Sequence, residues 1–247
     1  MSRRVSTEPV LRPATAADLP ALAEVHLSAR AAAGAAFPPA VHTDDEVRAW
    51  VAGWDLAAYD VRVAELDGRV AGYSRATPTW LDDLYVAPGG QGRGVGTALL
   101  REVLAGHPDG IGLWVFESNH SARDFYARHG FVALERTDGS ANEERAPDVR
   151  LVWPGSDPVA CFRAMIDEVD LLLGDVLARR TALTRAVQAV KPTGERDPRR
   201  EAEIARRVAE VVPELGADRV ARIVDVIITE SLAAARSDAA DGGAAGR

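Results

Sequence analysis

Cysteine is almost absent from this chain. Cys161 is the only one among 247 residues, so an intramolecular disulfide is excluded, and its setting between Ala160 and Phe162 reads as a buried structural thiol. Long apolar runs are missing too. No stretch of 18 or more apolar residues occurs, and Met1 to Val10 has no basic-then-apolar leader pattern, so neither a membrane span nor export is expected and the cytoplasm is the expected location. There is no basic excess. The net charge of −8 and pI near 5.2 argue against a nucleic-acid surface, and arginine clusters are therefore read as small anion sites or helix faces. Lysine is the scarcest charge: Lys191 is the only lysine among 29 Lys and Arg. A lone ammonium in so arginine-rich a chain asks for a chemical reason.

What is present divides into two halves of different rhythm. With 47% hydrophobic residues the chain can bury ordinary cores. From Val10 to about Trp153 short β-like runs alternate with helical ones, whereas from Asp157 to about Arg236 no strand signal occurs. The break falls at the Pro/Gly/Ser cluster "WPGSDP", Trp153 to Pro158. The expected domains are 1–154 and 155–237, followed by a small polar tail, 238–247, expected to be disordered.

In the first half, "DLPALAEVHLSAR" predicts a helix with Asp18 at its N-cap, and a shorter helix follows. "VRVAEL" and "RVAGYSRAT" alternate around Asp67-Gly68, a hairpin signal because a tight turn needs positive φ. "WLDDLYV" continues as a strand. A helix near Val95 to Ala105, a strand "IGLWVF", a helix near Ser121 to His129 and strands near Phe131 to Thr137 and Val149 to Trp153 complete a mixed α/β layout with a largely antiparallel sheet.

The turn "APGGQGRGVGTALL", Ala87 to Leu100, runs from a strand end into a helix start. Glycines let backbone N–H groups approach an anion, and the helix N-terminus adds partial positive charge, so a phosphate site is the physical expectation. It has neither the Gly-Lys-Ser/Thr of a Walker loop nor the Rossmann glycine spacing. Gln91-x-x-Gly94-x-Gly96, together with "NHSARDFYARHGF" from Asn119 to Phe131, closely resembles the GNAT acetyltransferase superfamily over roughly Val10 to Trp153. The resemblance implies acetyl-CoA as acyl donor and a small amine as acceptor. It places the pyrophosphate on the backbone of Gln91, Gly92, Arg93, Gly94, Val95 and Gly96, the thioester on the main chain around Val86, and the CoA arm near Asn119. Tyr126 matches the tyrosine that protonates the leaving thiolate. Asp82 or Asp83 is the candidate base, or either is a solvated carboxylate. Phe37, His42, Trp50 and Trp54 line an acceptor pocket or belong to the core.

The second half opens with about 30 residues of one amphipathic helix in the stretch Val159 to Lys191, its apolar positions running from Phe162 to Val190, too long for any core that some 80 residues can build. Two shorter helices follow, near Arg199 to Val211 and Asp218 to Arg236, and the overlong helix predicts a homodimer. Arg163, Arg180 and Lys191, spaced by 17 and 11 residues, share one helix face. The pattern "FRAMIDEVDLLLGDVLARR…VKPTGERDPRRE…IITES" closely resembles the all-helical, AroQ class of chorismate mutases. That resemblance implies that Arg163, from the opposite chain, and Arg180 hold two substrate carboxylates. Lys191 faces the ether oxygen, Asp197 and Glu201 receive the ring hydroxyl, Arg200 supports the site and Ser231 adds a polar contact. The rearrangement is unimolecular and needs no cofactor, so a site can work by holding the reactive conformer and stabilising developing charge. Arginines fit carboxylates, and a compact ammonium fits a single ether oxygen. One position departs: where the family places Gln or Glu four residues after the third-helix serine, this chain has Ala235.

The sequence thus predicts an α/β GNAT domain followed by an all-α three-helix AroQ-type domain that forms an intertwined dimer, binding no nucleic acid, metal or membrane. The expected function is bifunctional: acetyl transfer to an amine, and rearrangement of chorismate or an analogue such as 4-amino-4-deoxychorismate. The alternative is an acetyltransferase whose helices form a chorismate-sensing dimerisation module without catalysis.

Overall fold

The computed structural model describes residues 8–190 and 196–244, from 237 onward as backbone alone. The first half contains β1 (Val10–Pro13), α1 (Leu19–Ala33), α2 (Asp44–Ala52), β2 (Asp60–Leu66), β3 (Arg69–Ala76), β4 (Leu81–Val86), α3 (Val95–Gly106), β5 (Ile111–Phe116), α4 (His120–Arg128), β6 (Val132–Thr137) and β7 (Asp148–Trp153). The second contains α5 (Pro158–Val190), α6 (Pro198–Val211) and α7 (Ala217–Ala244). Two compact units divide between Arg163 and Ala164, inside α5, beyond the Pro/Gly/Ser cluster.

Local chemistry accounts for most element ends. Asp67 and Gly68 both take positive φ, 54° and 73°, and Leu66 pairs with Arg69, the geometry that lets a two-residue turn follow the strand twist. Thr43 and Glu46 form a reciprocal capping box at α2. Asp18 behaves otherwise than expected. It stands at the N-cap position of α1, but its carboxylate makes no cap bond there; it accepts from Thr15 N and Oγ1 and forms a bidentate pair with Arg12 of β1 at 2.6 and 2.8 Å. The Arg12 guanidinium accordingly holds the Asp18 carboxyl well below the usual carboxylate range.

The strands form two antiparallel sheets, β1-β2-β3-β4 and β5-β7-β6. Among the described residues they are joined by one parallel bridge, Trp80 to Gly112, with Gly112 N–H donating to Thr79 O at 2.9 Å. Beyond it β4 and β5 have no ladder, so the largely antiparallel sheet expected from sequence is split along that line. α3 packs Val95, Leu99, Leu100 and Val103 into the core, each worth about 1.5–3 kcal/mol when removed from water. Cys161 is half-buried, and burial pushes its thiol pKa up.

In the second unit, Val220, Val224 and Ile228 of α7, one turn apart, pack on Ile204, Ala205 and Ala209 of α6. α7 continues to Ala244, past the residue at which the tail was expected to begin. α5 is 33 residues long, about 50 Å, and buries none of them. Leu177, Thr181, Thr184 and Gln188 are half-buried, while Ile166, Val169, Val176, Leu183 and Val187 are more than half exposed. No helix among the described residues is long and apolar enough to cross a membrane.

β3 meets α3 closely at Gly72, where a Cβ would stand 2.8 Å from both Tyr85 O and Val95 Cγ1. Gly72→Ala should therefore destabilise by about 1–3 kcal/mol, read as a lowered Tm, because it pushes α3 off the sheet.

Candidate active site

The parting of β4 and β5 opens a cleft of about 1240 Å³. Leu84, Tyr85 and Val86 form one wall, Leu113 to Phe116 the other, and the start of α3 and the side of α4 close the end. Gly94 precedes α3 with φ 82°, and Gly92 has φ 71°, so the loop presents its amides in conformations that side chains disfavour. The amides of Gln91 and Arg93 donate within the turn, to Pro88 O at 3.4 Å and Gly90 O at 3.3 Å. Those of Gly92, Gly94, Val95 and Gly96 find no acceptor among the described residues, and the last two are the first amides of α3. Four such N–H groups at a helix start form an anion cradle.

Of the residues singled out from sequence, Val86, Gln91, Gly92, Gly94, Val95, Gly96, Asn119 and Tyr126 line this cleft. Arg93 does not: its side chain reaches back to Asp67 at 3.0 Å, tying the loop to the β2–β3 turn. Gln91 Nε2 donates to Val86 O at 3.4 Å. Asn119 Oδ1 accepts from Ala122 N–H at 3.1 Å as the cap of α4. Tyr126 is buried between Phe125 and Phe131, and burial raises its hydroxyl pKa, which keeps the proton that a thiolate would need.

A second cleft of about 620 Å³ shares Arg30, Asp82, Tyr85 and Glu144 with the first. The two candidate carboxylates separate here. Asp83 is buried and bound to Arg75 at 2.6 Å. Burial raises its pKa while Arg75 opposes the rise. The Arg75 guanidinium lies over Tyr59, Trp54 and Trp50 at 4.6, 4.8 and 5.2 Å. Asp82 is exposed, lines both clefts and makes no ion pair among the described residues; partial burial raises its pKa too. His42 and Trp50 line this cleft, Phe37 the first, and Trp54 is core.

Sequence reasoning missed His26, Arg30, Arg75, Tyr85, Glu143 and Glu144. The cue for Arg75 was register, since Arg75 pairs directly with Asp83 across β3 and β4. The others had none: Arg30 meets Glu144, at 3.3 Å, across 114 positions, and His42 meets Glu143, at 3.1 Å, across 101.

In the helical unit, Arg180 donates to Ser231 Oγ at 2.6 Å and to Ile227 O at 3.2 Å, joining α5 to α7. Asp197 caps α6 by accepting from the amides of Arg199 and Arg200, both at 3.1 Å. Glu201 is held by Arg196 at 2.6 Å, and Arg196 also binds Asp225. Arg163 and Arg200 are exposed, Ala235 is buried, and Lys191 lies outside the described residues.

Residues 57–133 match the family model described as acetyltransferase (GNAT) domain, and residues 162–236 match that of chorismate mutase type II. Mycothiol acetyltransferase of Nocardia farcinica (strain IFM 10152) is 30% identical over 116 residues, which are 44% of this chain and 38% of that protein. The chain thus matches well under half of that relative's length. Among solved structures, apo YjaB from Escherichia coli is 21% identical with a TM-score of 0.49, covering 60% of this chain and 99% of that one. The ribosomal-protein-S18-alanine N-acetyltransferase from Escherichia coli is 19% identical with a TM-score of 0.49, covering 61% and 96%.

His26 lines the second cleft, its Nδ1 3.0 Å from Tyr73 Oη, and burial lowers its pKa from 6.5 to about 4. The unfolded chain therefore binds a proton that the folded chain refuses between those values, so this contribution is complete above pH 6.5 and is lost as pH falls toward 4. Urea denaturation across that window should show His26→Leu losing less stability on acidification than wild type, by on the order of 2 kcal/mol.

Proposed function

We propose that this chain, which carries a GNAT acetyltransferase domain in its first half and a type II chorismate mutase domain in its second, is a bifunctional enzyme. The first domain transfers acetyl from acetyl-CoA to a small amine. The second rearranges chorismate, or a close analogue such as 4-amino-4-deoxychorismate.

The observation that carries the transferase reading is the parting of β4 and β5 in front of the unpartnered amides at the start of α3. A CoA pyrophosphate on that cradle lays the thioester along Val86. Asp82 accepts a proton of the incoming ammonium, the amine attacks the thioester carbonyl, and the tetrahedral adduct expels the thiolate, which takes the proton of Tyr126 while the nitrogen's surplus proton passes to the tyrosinate, leaving neutral amide, CoA thiol and Tyr126. Asp83 cannot serve as well, being held by Arg75. General acid catalysis contributes about 10²- to 10⁴-fold, so Tyr126→Phe should lower kcat for acetyl transfer by at least the smaller factor while leaving acetyl-CoA affinity nearly unchanged.

The mutase reading rests on the type II match together with Arg180, poised by Ser231. Along one helix Arg163 and Arg180 are 17 residues apart, about 25 Å, too far to clasp one small dianion. Two chains paired along the exposed apolar stripe of α5 bring one chain's Arg163 to the other's site, and this is the reason for a homodimer. Lys191 stabilises the ether oxygen as its bond to carbon breaks and the new carbon–carbon bond forms.

Ala235 favours a second reading, a chorismate-sensing module without turnover, because its buried methyl group cannot donate where the family has an amide or carboxyl. Chorismate consumption followed by NMR decides between them. Prephenate formation by wild type, lost by about 10²-fold or more in Lys191→Ala, supports the mutase; chorismate binding without turnover supports the sensor.

A further inference from the structure

The second cleft of the first unit has a charge arrangement that selects among amines. Its cations are engaged. Arg75 is bound to Asp83 at 2.6 Å and sandwiched by three aromatic rings; Arg30 is bound to Glu144 at 3.3 Å and lies 4.7 Å over Phe37; His42 is paired with Glu143. Glu46 is engaged as well, accepting from Thr43 N and Oγ1 at 2.7 and 2.9 Å. Asp82 alone among the described charges of this cleft has neither an ion-pair partner nor a side-chain hydrogen bond. The cleft therefore offers one carboxylate to an ammonium and no uncommitted cation to a carboxylate.

One part of its wall is apolar. The Trp50 indole is 45% exposed, and Ala40, Val41, Val47 and Tyr85 line the cleft with it. About 620 Å³ accommodates a ring on a short chain. An indole face also attracts a nearby ammonium.

Resting on the transferase reading above, we propose that the acceptor is a primary amine on a flat, apolar body that has no carboxylate of its own, of the arylalkylamine class. Asp82 receives the ammonium where the two clefts meet, and Trp50 carries the ring. An acidic acceptor would bring an anion beside Asp82 and would have to displace Glu144 from Arg30 or Asp83 from Arg75. Both steps leave a partly buried carboxylate without its partner. It follows that carboxylated amines made from chorismate, the dianion assigned to the other domain, are poor acceptors, and the two domains act on different molecules.

The test uses the full-length protein. Calorimetry with acetyl-CoA first establishes donor binding. Then 2-phenylethylamine and phenylalanine, which share ring and amine and differ by one carboxylate, are compared by calorimetry in the presence of CoA and by initial rates of CoA thiol release with acetyl-CoA. The expected result is at least tenfold tighter binding and higher kcat/KM for 2-phenylethylamine. Asp82→Asn and Trp50→Ala should each weaken that binding severalfold with acetyl-CoA affinity unchanged. Equal or better binding of phenylalanine overturns the inference, and so does donor binding with neither amine bound; both leave the transferase reading standing. Absence of acetyl-CoA binding is a different pattern, and it overturns the transferase reading together with this one.

Discussion

Two neighbouring strands that begin as a pair and then separate create the site of the first unit. Trp80 and Gly112 bridge β4 and β5 at their start, and past that point each strand keeps partners only on its other side. Backbone groups stripped of a neighbour in this way are costly unless they face water or a ligand. The gap is held open by what flanks it. α3 is pressed onto the first sheet through Gly72, and Tyr126 of α4 is packed into the core shared with β5 and β7. The loop amides before α3 and the wall of β4 are thus fixed relative to each other before any ligand arrives. Such fixing is what pre-organisation requires of an anion cradle and the cleft wall beside it.

The adjoining cleft shows how a buried charge can serve by being occupied. Arg75 is close to three aromatic rings and one carboxylate, so Asp83 is neutralised in place and Arg75 is withheld from any acidic ligand. Removing the pair's partner would leave a lone buried charge, the expensive case, whereas the intact pair contributes mainly definition. Asp82, the extra residue where the β3–β4 register shifts, is exposed and lacks such a partner. A bulge therefore separates a structural carboxylate from an unpaired one.

How much of this was legible in the sequence follows from the range of the interactions. Strand alternation, the Asp67-Gly68 turn, the glycine loop and the helix starts are local, and they appear within a residue or two of where the sequence puts them. The split of the sheet was not legible, because nothing in "WLDDLYV" or "IGLWVF" says where two parallel neighbours stop pairing. Asp18 stands at the expected N-cap position, but the use of its carboxylate was not legible, for a related reason. An aspartate ahead of a helix looks like a cap, but Arg12, folded in from β1, offers two charged donors and takes the carboxylate away. Arg30 with Glu144 and His42 with Glu143 join segments more than a hundred residues apart, and no local pattern encodes such pairs. For Asp82 and Asp83 the sequence supplied both candidates, and register with Arg75 supplied the distinction.

The helical unit raises the complementary question of what a single chain lacks. α6 and α7 bury Val220, Val224 and Ile228 between them, an adequate seam for two helices. α5 has no comparable seam: from Leu177 on its half-buried positions, Leu177, Arg180, Thr181, Thr184 and Gln188, are mostly polar, and aliphatic side chains from Ile166 to Val187 are exposed. A stripe of that length and composition is unstable against water unless another surface covers it. The same helix carries Arg163 and Arg180 about 25 Å apart, each with a charge suited to a carboxylate and only one of them near Ser231. The homodimer proposed above would meet both needs together: an overlap covering the stripe would also bring the distant arginine of one chain toward the Arg180 of the other, so that burial and site assembly would be one event.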